Sequence, residues 1–383
     1  MKKIAVVTAT RAEYGLLSPV IRELRKRESN ELKVSLIATG THLSSEYGMT
    51  IDEIGERIDH RIRIPVKSDT ALDISANQAE VLVRFTRLFM EEAFDAVLLL
   101  GDRYESLAIA VAAGNTLTPV FHLCGGDTTE GAIDEWIRHA ISKISYLHFT
   151  TNEESRRRVI QLGEDPARVF NFGSTSIDNI FALSADSKEK ALESIGLDAC
   201  RYALCTYHPA TMEGCQVDGQ IAQLLEAVRA FPDISFIVTK SNADQGGARI
   251  NELLDEAARN TANLHVYASL GTKRYLSLLR YSEFVLGNSS SGIIEAPSFS
   301  VPTVNIGDRQ KGRLQCESVI NCEPDRDSII RAIRLALSDA FREKCRDVVN
   351  PYGDGHAAER IARQSVETVM NGRIDLKKKF YDL

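Results

Sequence analysis

The sequence predicts an α/β fold of two Rossmann-like doubly wound domains facing one another across a cleft. Three observations predict it. Short β-branched apolar runs alternate with amphipathic segments along the whole chain, the rhythm of βαβ units. The runs are continuously apolar rather than alternating, as strands in a parallel sheet covered on both faces must be. At 383 residues the chain is also long for one hydrophobic core, so two domains fit it better.

In the first half, KIAVVTA (3–9), KVSLIAT (33–39), DAVLLLG (95–101), TPVFHL (118–123) and YLHFTT (146–151) read as buried strands. The stretch 72–93 reads as an amphipathic helix between the second and third. A second set follows with YALCTY (202–207), SFIVTK (235–240), LHVYAS (264–269), EFVLG (283–287) and PTVNIG (302–307). Ile221, Leu224, Leu225, Val228 and Phe231 fall on one face at helical spacing. NPYGDG (350–355) reads as a turn, and residues 356–370 as a closing helix. The expected domains are 1–172 and 173–355, divided near NFGSTSIDN (171–179), with 356–383 as a C-terminal segment.

Composition narrows the function. A formal charge of −7 argues against nucleic acid as the main partner, and no apolar run approaches the ~18 residues of a membrane span. Arg11 and Glu13 interrupt the N-terminal apolar run, so it reads as a strand rather than a signal peptide. Seven cysteines without a CxxC pair read as reduced thiols of a cytoplasmic protein, not as a disulfide frame or a zinc site. No metal and no cofactor is expected.

In doubly wound sheets ligands bind beyond the carboxyl ends of the strands. Those positions hold Arg11, then Asp102 and Arg103, then His122, Asp127, Glu130, Asp134 and Glu135. In the second half they hold His208, then Lys240, Asn242 and Asp244, and finally Arg309, Lys311 and Arg313. Each has a plain alternative: a surface ion pair for Arg11 or Arg103, a structural hydrogen bond for His208, helix caps for Asp127 and Asp134. Their joint position at the carboxyl edges of both sheets favours a site. GNSSSG (287–292) follows the strand EFVLG and opens a helix-like stretch. Free N–H groups and the hydroxyls of Ser289, Ser290 and Ser291 would there favour an anion, with Gly292 allowing close approach. Glu295, one turn on, could accept from both hydroxyls of a ribose. The pair suggests a nucleotide, although neither a G-x-G-x-x-G fingerprint after the first strand nor a Walker A motif occurs.

TRAEYG, GDRYES, HLCGGD, IDEWIRHAISK, YHP, GNSSSGIIE and NIGDRQKGR, in this order, resemble the hydrolysing UDP-N-acetylglucosamine 2-epimerases, including enzymes of sialic-acid and legionaminic-acid pathways. The resemblance covers nearly the whole chain. It implies a GT-B arrangement in which the C-terminal helix returns to the first domain, and a homodimer or homotetramer. It also implies elimination of UDP through a 2-acetamidoglycal, followed by hydration to the free 2-epimeric sugar.

By that resemblance Ser289 and Ser290 hold the UDP phosphates and Glu295 the ribose. Arg11 and His208 lie near the diphosphate, while Arg103, Asn242 and Arg309 line the cleft. Asp102 is the main acid/base, its pKa expected to rise toward neutrality in a closed cleft, with Asp127 and Asp134 as partners. One departure stands out. Cys124 occupies a position where many relatives carry Glu or His, which leaves the sugar and the division of proton steps open. The competing readings are a non-hydrolysing epimerase, a GT-B glycosyltransferase and a catalytically silent UDP-sugar-binding protein.

Overall fold

The computed structural model describes residues 1–45, 49–65, 70–129, 133–182, 185–209, 217–241, 246–372 and 374–383. The chain separates into two compact units, each built on one parallel sheet. The first comprises Met1–Asp127, Asp134–Asn179 and Tyr352–Leu383, and the second Thr128–Ile133 and Ile180–Pro351.

The first sheet has strands β1 (Lys2–Thr8), β2 (Leu32–Thr39), β3 (His60–Ile62), β4 (Ala96–Leu100), β5 (Val120–Leu123), β6 (Leu147–Thr150) and β7 (Val169–Asn171). Their spatial order is β3-β2-β1-β4-β5-β6-β7, so chain direction across the sheet reverses between β1 and β4. There Ile4 pairs with Val34 on one side and Ala96 on the other. Successive side chains of β1 enter different cores, because a strand's side chains alternate between faces. Ile4 and Val6 pack with Leu17, Ile21 and Ile361, whereas Ala5 and Val7 pack with Phe85 and Ile109. Both faces are covered, which explains the unbroken apolar run.

The second sheet repeats the plan with β8 (Tyr202–Thr206), β9 (Ser235–Thr239), β10 (Leu264–Tyr267), β11 (Val285–Gly287), β12 (Thr303–Ile306) and β13 (Val319–Cys322). The order β10-β9-β8-β11-β12-β13 puts its reversal between β8 and β11. Again one strand feeds two cores, Ala203 and Cys205 on one face, Tyr202 and Leu204 on the other.

Every strand read from the sequence is present. The three that were not, β3, β7 and β13, are edge strands of three or four residues with partly exposed side chains. Strands this short, with side chains partly exposed, leave no continuous apolar run to read. The expected helix 72–93 spans Ala71–Glu92, and Thr70 and Asp73 form a reciprocal capping box at its start.

The expected helix 356–370 spans Ala357–Asn371 and packs in the first unit beside helix Arg11–Arg25. Its first N–H groups need partners from outside the helix. Asp178 supplies them, accepting from Ala358 N at 2.7 Å and Ala357 N at 3.2 Å. Beyond this helix the chain lies along the edge of the first unit. Lys378 Nζ donates to the carbonyls of Lys143 and Ser145, and Tyr381 N to Gly163 O. No helix of the described residues is long and apolar enough to cross a membrane.

Gly287 closes β11 at φ 126°, and a Cβ there would stand 2.0 Å from Thr206 O of the neighbouring strand. Gly287→Ala is therefore expected to lower stability by about 3 kcal/mol or more. The check is urea denaturation of the full chain followed by far-ultraviolet circular dichroism.

Candidate functional site

In the second unit the polar groups gather where β8 and β11 end, at the reversal of the sheet. Asn288, only 2% exposed, joins the two strand ends. Its Oδ1 accepts from His208 N at 2.7 Å, and its Nδ2 donates to His208 O at 2.8 Å. Its backbone N–H donates to Thr206 O, and its carbonyl accepts from Arg309 (3.0 Å) and Gln310 Nε2 (2.8 Å). One asparagine thus fixes the loop after β8, the serine loop after β11 and the loop after β12.

Ser289 caps the following turn by accepting from Ser291 N. That turn, Ser290–Ile294, is five residues long and passes into a 3₁₀ turn, Ala296–Phe299, that contains Pro297. A helix this short has a weak dipole, so donors here are individual N–H and hydroxyl groups rather than a long helix end. The hydroxyls are not equivalent. Tyr275 OH donates to Ser291 Oγ at 2.7 Å, and Ser291 Oγ in turn donates to Glu295 Oε2. Burial pushes Glu295 up to about 7, against the opposing pull of that hydroxyl. Gly292 leaves no room for a side chain, since a Cβ would come 2.6 Å from Thr303 Cγ2. His208 is buried, with Nδ1 3.1 Å from Ser241 Oγ. Burial, and secondarily the charge of Arg309, push it down to about 3. It is neutral at pH 7 and offers hydrogen bonding, not charge.

In the first unit the organiser is Arg138, 1% exposed on helix Asp134–Ile144. Its Nε donates to Asp102 Oδ2 at 2.9 Å, and a second guanidinium nitrogen reaches the same oxygen. The remaining nitrogen donates to Asp127 O at 2.6 Å and Glu135 Oε2 at 2.9 Å. Asp127 itself is buried, its Oδ1 accepting from Thr151 (2.6 Å) and Ser155 (2.7 Å). It is not the helix cap that the sequence allowed. Asp134 is exposed at the start of its helix.

His122 lies wholly inside the sheet. Its Nε2–H donates to Gly101 O at 2.7 Å, which fixes the tautomer, and Nδ1 is 3.3 Å from Ser142 Oγ. Burial pushes it down to about 4. It braces the Gly101–Asp102 turn from within the sheet. Cys124 takes a left-handed backbone at φ 63°, uncommon for a residue with a side chain.

At the β1–β4 reversal stand Arg11 and Arg103. Arg11 is half exposed, 3.8 Å from Glu53. Arg103 Nε donates to Glu105 Oε2 at 3.2 Å. Beside it Glu13 accepts from Ala9 N at 2.7 Å and Thr10 N at 3.2 Å. Burial pushes Glu13 up to about 7, Arg103 opposing and Glu105 adding to the rise. Glu13 and Glu295 are thus both pushed toward neutrality. Glu130, Asn242 and Asp244 lie outside the described residues.

Sequence reasoning missed Asn288, Arg138, Tyr275 and the buried carboxyls Glu13 and Glu105. Two had a readable signal. Asn288 follows a glycine at a strand end, and Arg138 sits on the apolar face of its helix between Ile137 and Ile141.

Residues 22–364 match the family described as UDP-N-acetylglucosamine 2-epimerase. The chain belongs to that family. A GDP/UDP-N,N′-diacetylbacillosamine 2-epimerase (hydrolyzing) of Campylobacter jejuni is 39% identical over 388 residues, covering 100% of this chain and 99% of the relative. A polysialic acid biosynthesis protein of Escherichia coli is 36% identical over 387 residues, covering 100% and 98%. The crystal structure of a UDP-GlcNAc 2-epimerase from Neisseria meningitidis bound to UDP-GlcNAc has a TM-score of 0.82 at 22% identity, covering 96% of this chain and 100% of that one. The fold is therefore the GT-B-like one of these epimerases.

Asn288→Ala leaves both backbone groups of His208 without partners, so a loss of about 2–4 kcal/mol in stability is expected, read from the denaturation midpoint. Glu295 gives a pH signature. Its folded pKa is raised, so the stability it contributes is fully present below its unfolded value, about 4.5, and is lost as pH rises through 7. Glu295→Gln removes this dependence. Its stability relative to the native chain is expected to improve by about 2 kcal/mol between pH 4 and pH 8, as measured by urea titration at each pH.

Proposed function

We propose that this chain is a hydrolysing UDP-sugar 2-epimerase. Its substrate is UDP-N-acetylglucosamine or UDP-N,N′-diacetylbacillosamine, and its products are UDP and the free 2-epimeric sugar. The observation that carries this reading is full-length similarity, at 36–39% identity, to a hydrolysing 2-epimerase and a polysialic acid biosynthesis protein. A Legionella pneumophila UDP-N,N′-diacetylbacillosamine 2-epimerase (hydrolyzing), 36% identical over 94% of this chain, supports it too. The non-hydrolysing reaction is the second reading: Neisseria meningitidis proteins named UDP-N-acetylglucosamine 2-epimerase, without the word hydrolyzing, are 24–29% identical.

The chemistry fits the groups present. Asp102 takes the C2 proton of the sugar. The electron pair of that C–H bond becomes the C1=C2 double bond of a 2-acetamidoglycal, and the C1–O bond breaks with its pair going to the β-phosphate of UDP. Water then adds, hydroxyl to C1 and proton to C2 from the opposite face. Arg138 aims Asp102 by holding one of its oxygens from two nitrogens, while the other oxygen remains for the proton. Asp127 and Asp134 act as its partners in the proton steps. The departing diphosphate gathers negative charge, which Arg11, Arg103, Arg309 and the Ser289–Ser290 loop stabilise. A neutral His208 donates or accepts there without adding charge. Glu295 holds the ribose hydroxyls; the Ser291 hydroxyl on its carboxylate marks where a ribose hydroxyl would donate. Asn242 and Gly292 complete the grip, and His122 acts through the Asp102 turn.

No metal or cofactor enters this scheme. It places the enzyme in nonulosonic acid biosynthesis, sialic or legionaminic, as a cytoplasmic homo-oligomer.

The test is proton and phosphorus NMR in D₂O with each UDP-sugar in turn. Free UDP with a 2-epimeric sugar deuterated at C2 is the expected result. UDP-ManNAc accumulating with its diphosphate intact would establish the non-hydrolysing reaction instead. No turnover of either sugar would return the transferase and silent-binding readings. Asp102→Asn is expected to lower kcat by about 10³-fold or more while leaving UDP affinity within about threefold of the native value.

A further inference from the structure

Beyond the serine loop, the second unit holds a cavity of about 690 Å³ at the carboxyl ends of β12 and β13. This lies within the usual range for sites that take small organic molecules. The loop 307–313 divides the two regions. Arg309 and Gln310 turn to Asn288 at the end of β11, whereas Lys311 and Arg313 line the cavity. The cavity is thus one to two strands, about 5–10 Å, further along the sheet than the β8–β11 reversal.

Its lining is cationic. Lys311, Arg313 and Arg331 face two carboxylates, Asp308 and Glu323, and Asp308 is already within 3.4 Å of Lys311. Among the described residues neither Arg313 nor Arg331 forms an ion pair; Arg331 donates to Ser328 Oγ at 2.8 Å. Two buried polar atoms here also lack partners. Asn305 is 2% exposed and spends Nδ2 on Asn321 Oδ1 at 2.8 Å, but its Oδ1 has no donor, and Arg313 Nε has no acceptor. A buried polar atom without a partner costs about 1–3 kcal/mol, and folded proteins keep few. Two in one cavity, beside guanidinium groups that form no ion pair among the described residues, describe a ligand by its complement. It has an anionic group for Arg313 and Arg331, and a hydroxyl to donate to Asn305. It also has a carbon skeleton to lie on Ile320, Ala332 and Leu335, which form the apolar wall.

We propose that this cavity is a second ligand site, for a small hydroxylated organic anion carrying a phosphate or a carboxylate, separate from the serine-loop site. The test is isothermal titration of the full chain, with and without saturating UDP, using D-glucose 6-phosphate, D-gluconate and neutral D-glucose. At least one anion is expected to bind one to one, with or without UDP, and glucose not to bind. Whether the phosphate or the gluconate binds identifies the acid group. Arg331 is exposed, so Arg331→Gln should fold normally. This variant is expected to weaken the anion about tenfold while its UDP isotherm matches the native one. Absence of binding by both anions would overturn the proposal. So would native-like affinity in Arg331→Gln, or displacement of the anion by UDP.

Discussion

The carboxyl edge of the second sheet depends on one side-chain amide. Parallel strands that diverge at a reversal of strand order leave backbone groups without a neighbouring strand to pair with, and those groups must be satisfied. Asn288 does this for both strands at once. An amide has one acceptor and one donor end, which match the N–H and C=O of a single residue, here His208. No charged side chain could do both. Because the same residue's carbonyl receives Arg309 and Gln310, three loops are fixed by one buried group. Gly287 is required for the same reason: the chain must pass so near Thr206 that only a hydrogen fits.

The first sheet solves the corresponding problem with charge. Arg138 is buried, and a buried guanidinium is tolerated only when its donors are occupied. Two carboxylates and a backbone carbonyl occupy them, and the geometry this imposes holds the Asp102 side chain in place. Asp102 and Arg138 come from separate stretches, GDRYES and IDEWIRH, thirty-six residues apart in sequence. At the β1–β4 reversal, buried Glu13 and Glu105 face the partly exposed Arg103.

Covered strands were legible because burial on two faces writes an unbroken apolar run, as in KIAVVTA. Short, partly exposed strands such as His60–Ile62 were not, because their polar and exposed positions break the run. Strand-end positions could be listed from the sequence, but not which way a side chain turns from there. Hence His122 and Asp102 looked alike, although one proves to be a strut inside the sheet and the other keeps access to solvent. The serine loop suggested three equivalent donors. In space Ser289 caps, Ser291 serves Glu295, and only the tertiary contact with Tyr275 tells them apart. Likewise, the pairing of Arg138 with Asp102 is a long-range contact that no local pattern encodes.

The helix Ala357–Asn371 belongs to the first unit, although the whole second sheet precedes it in the chain. During synthesis, therefore, the ribosome delivers every strand of the first sheet early but withholds this part of its cover until last. Until then Ile4, Val6 and Leu17 lack their neighbours Ile361 and Ala362, and the carboxylate of Asp178 waits for Ala357 and Ala358. The second unit can assemble in the meantime from a nearly contiguous stretch. Vectorial synthesis thus reverses the order of completion: the unit that starts first is finished second, and a nascent chain interrupted before residue 357 would expose the apolar face meant for that helix.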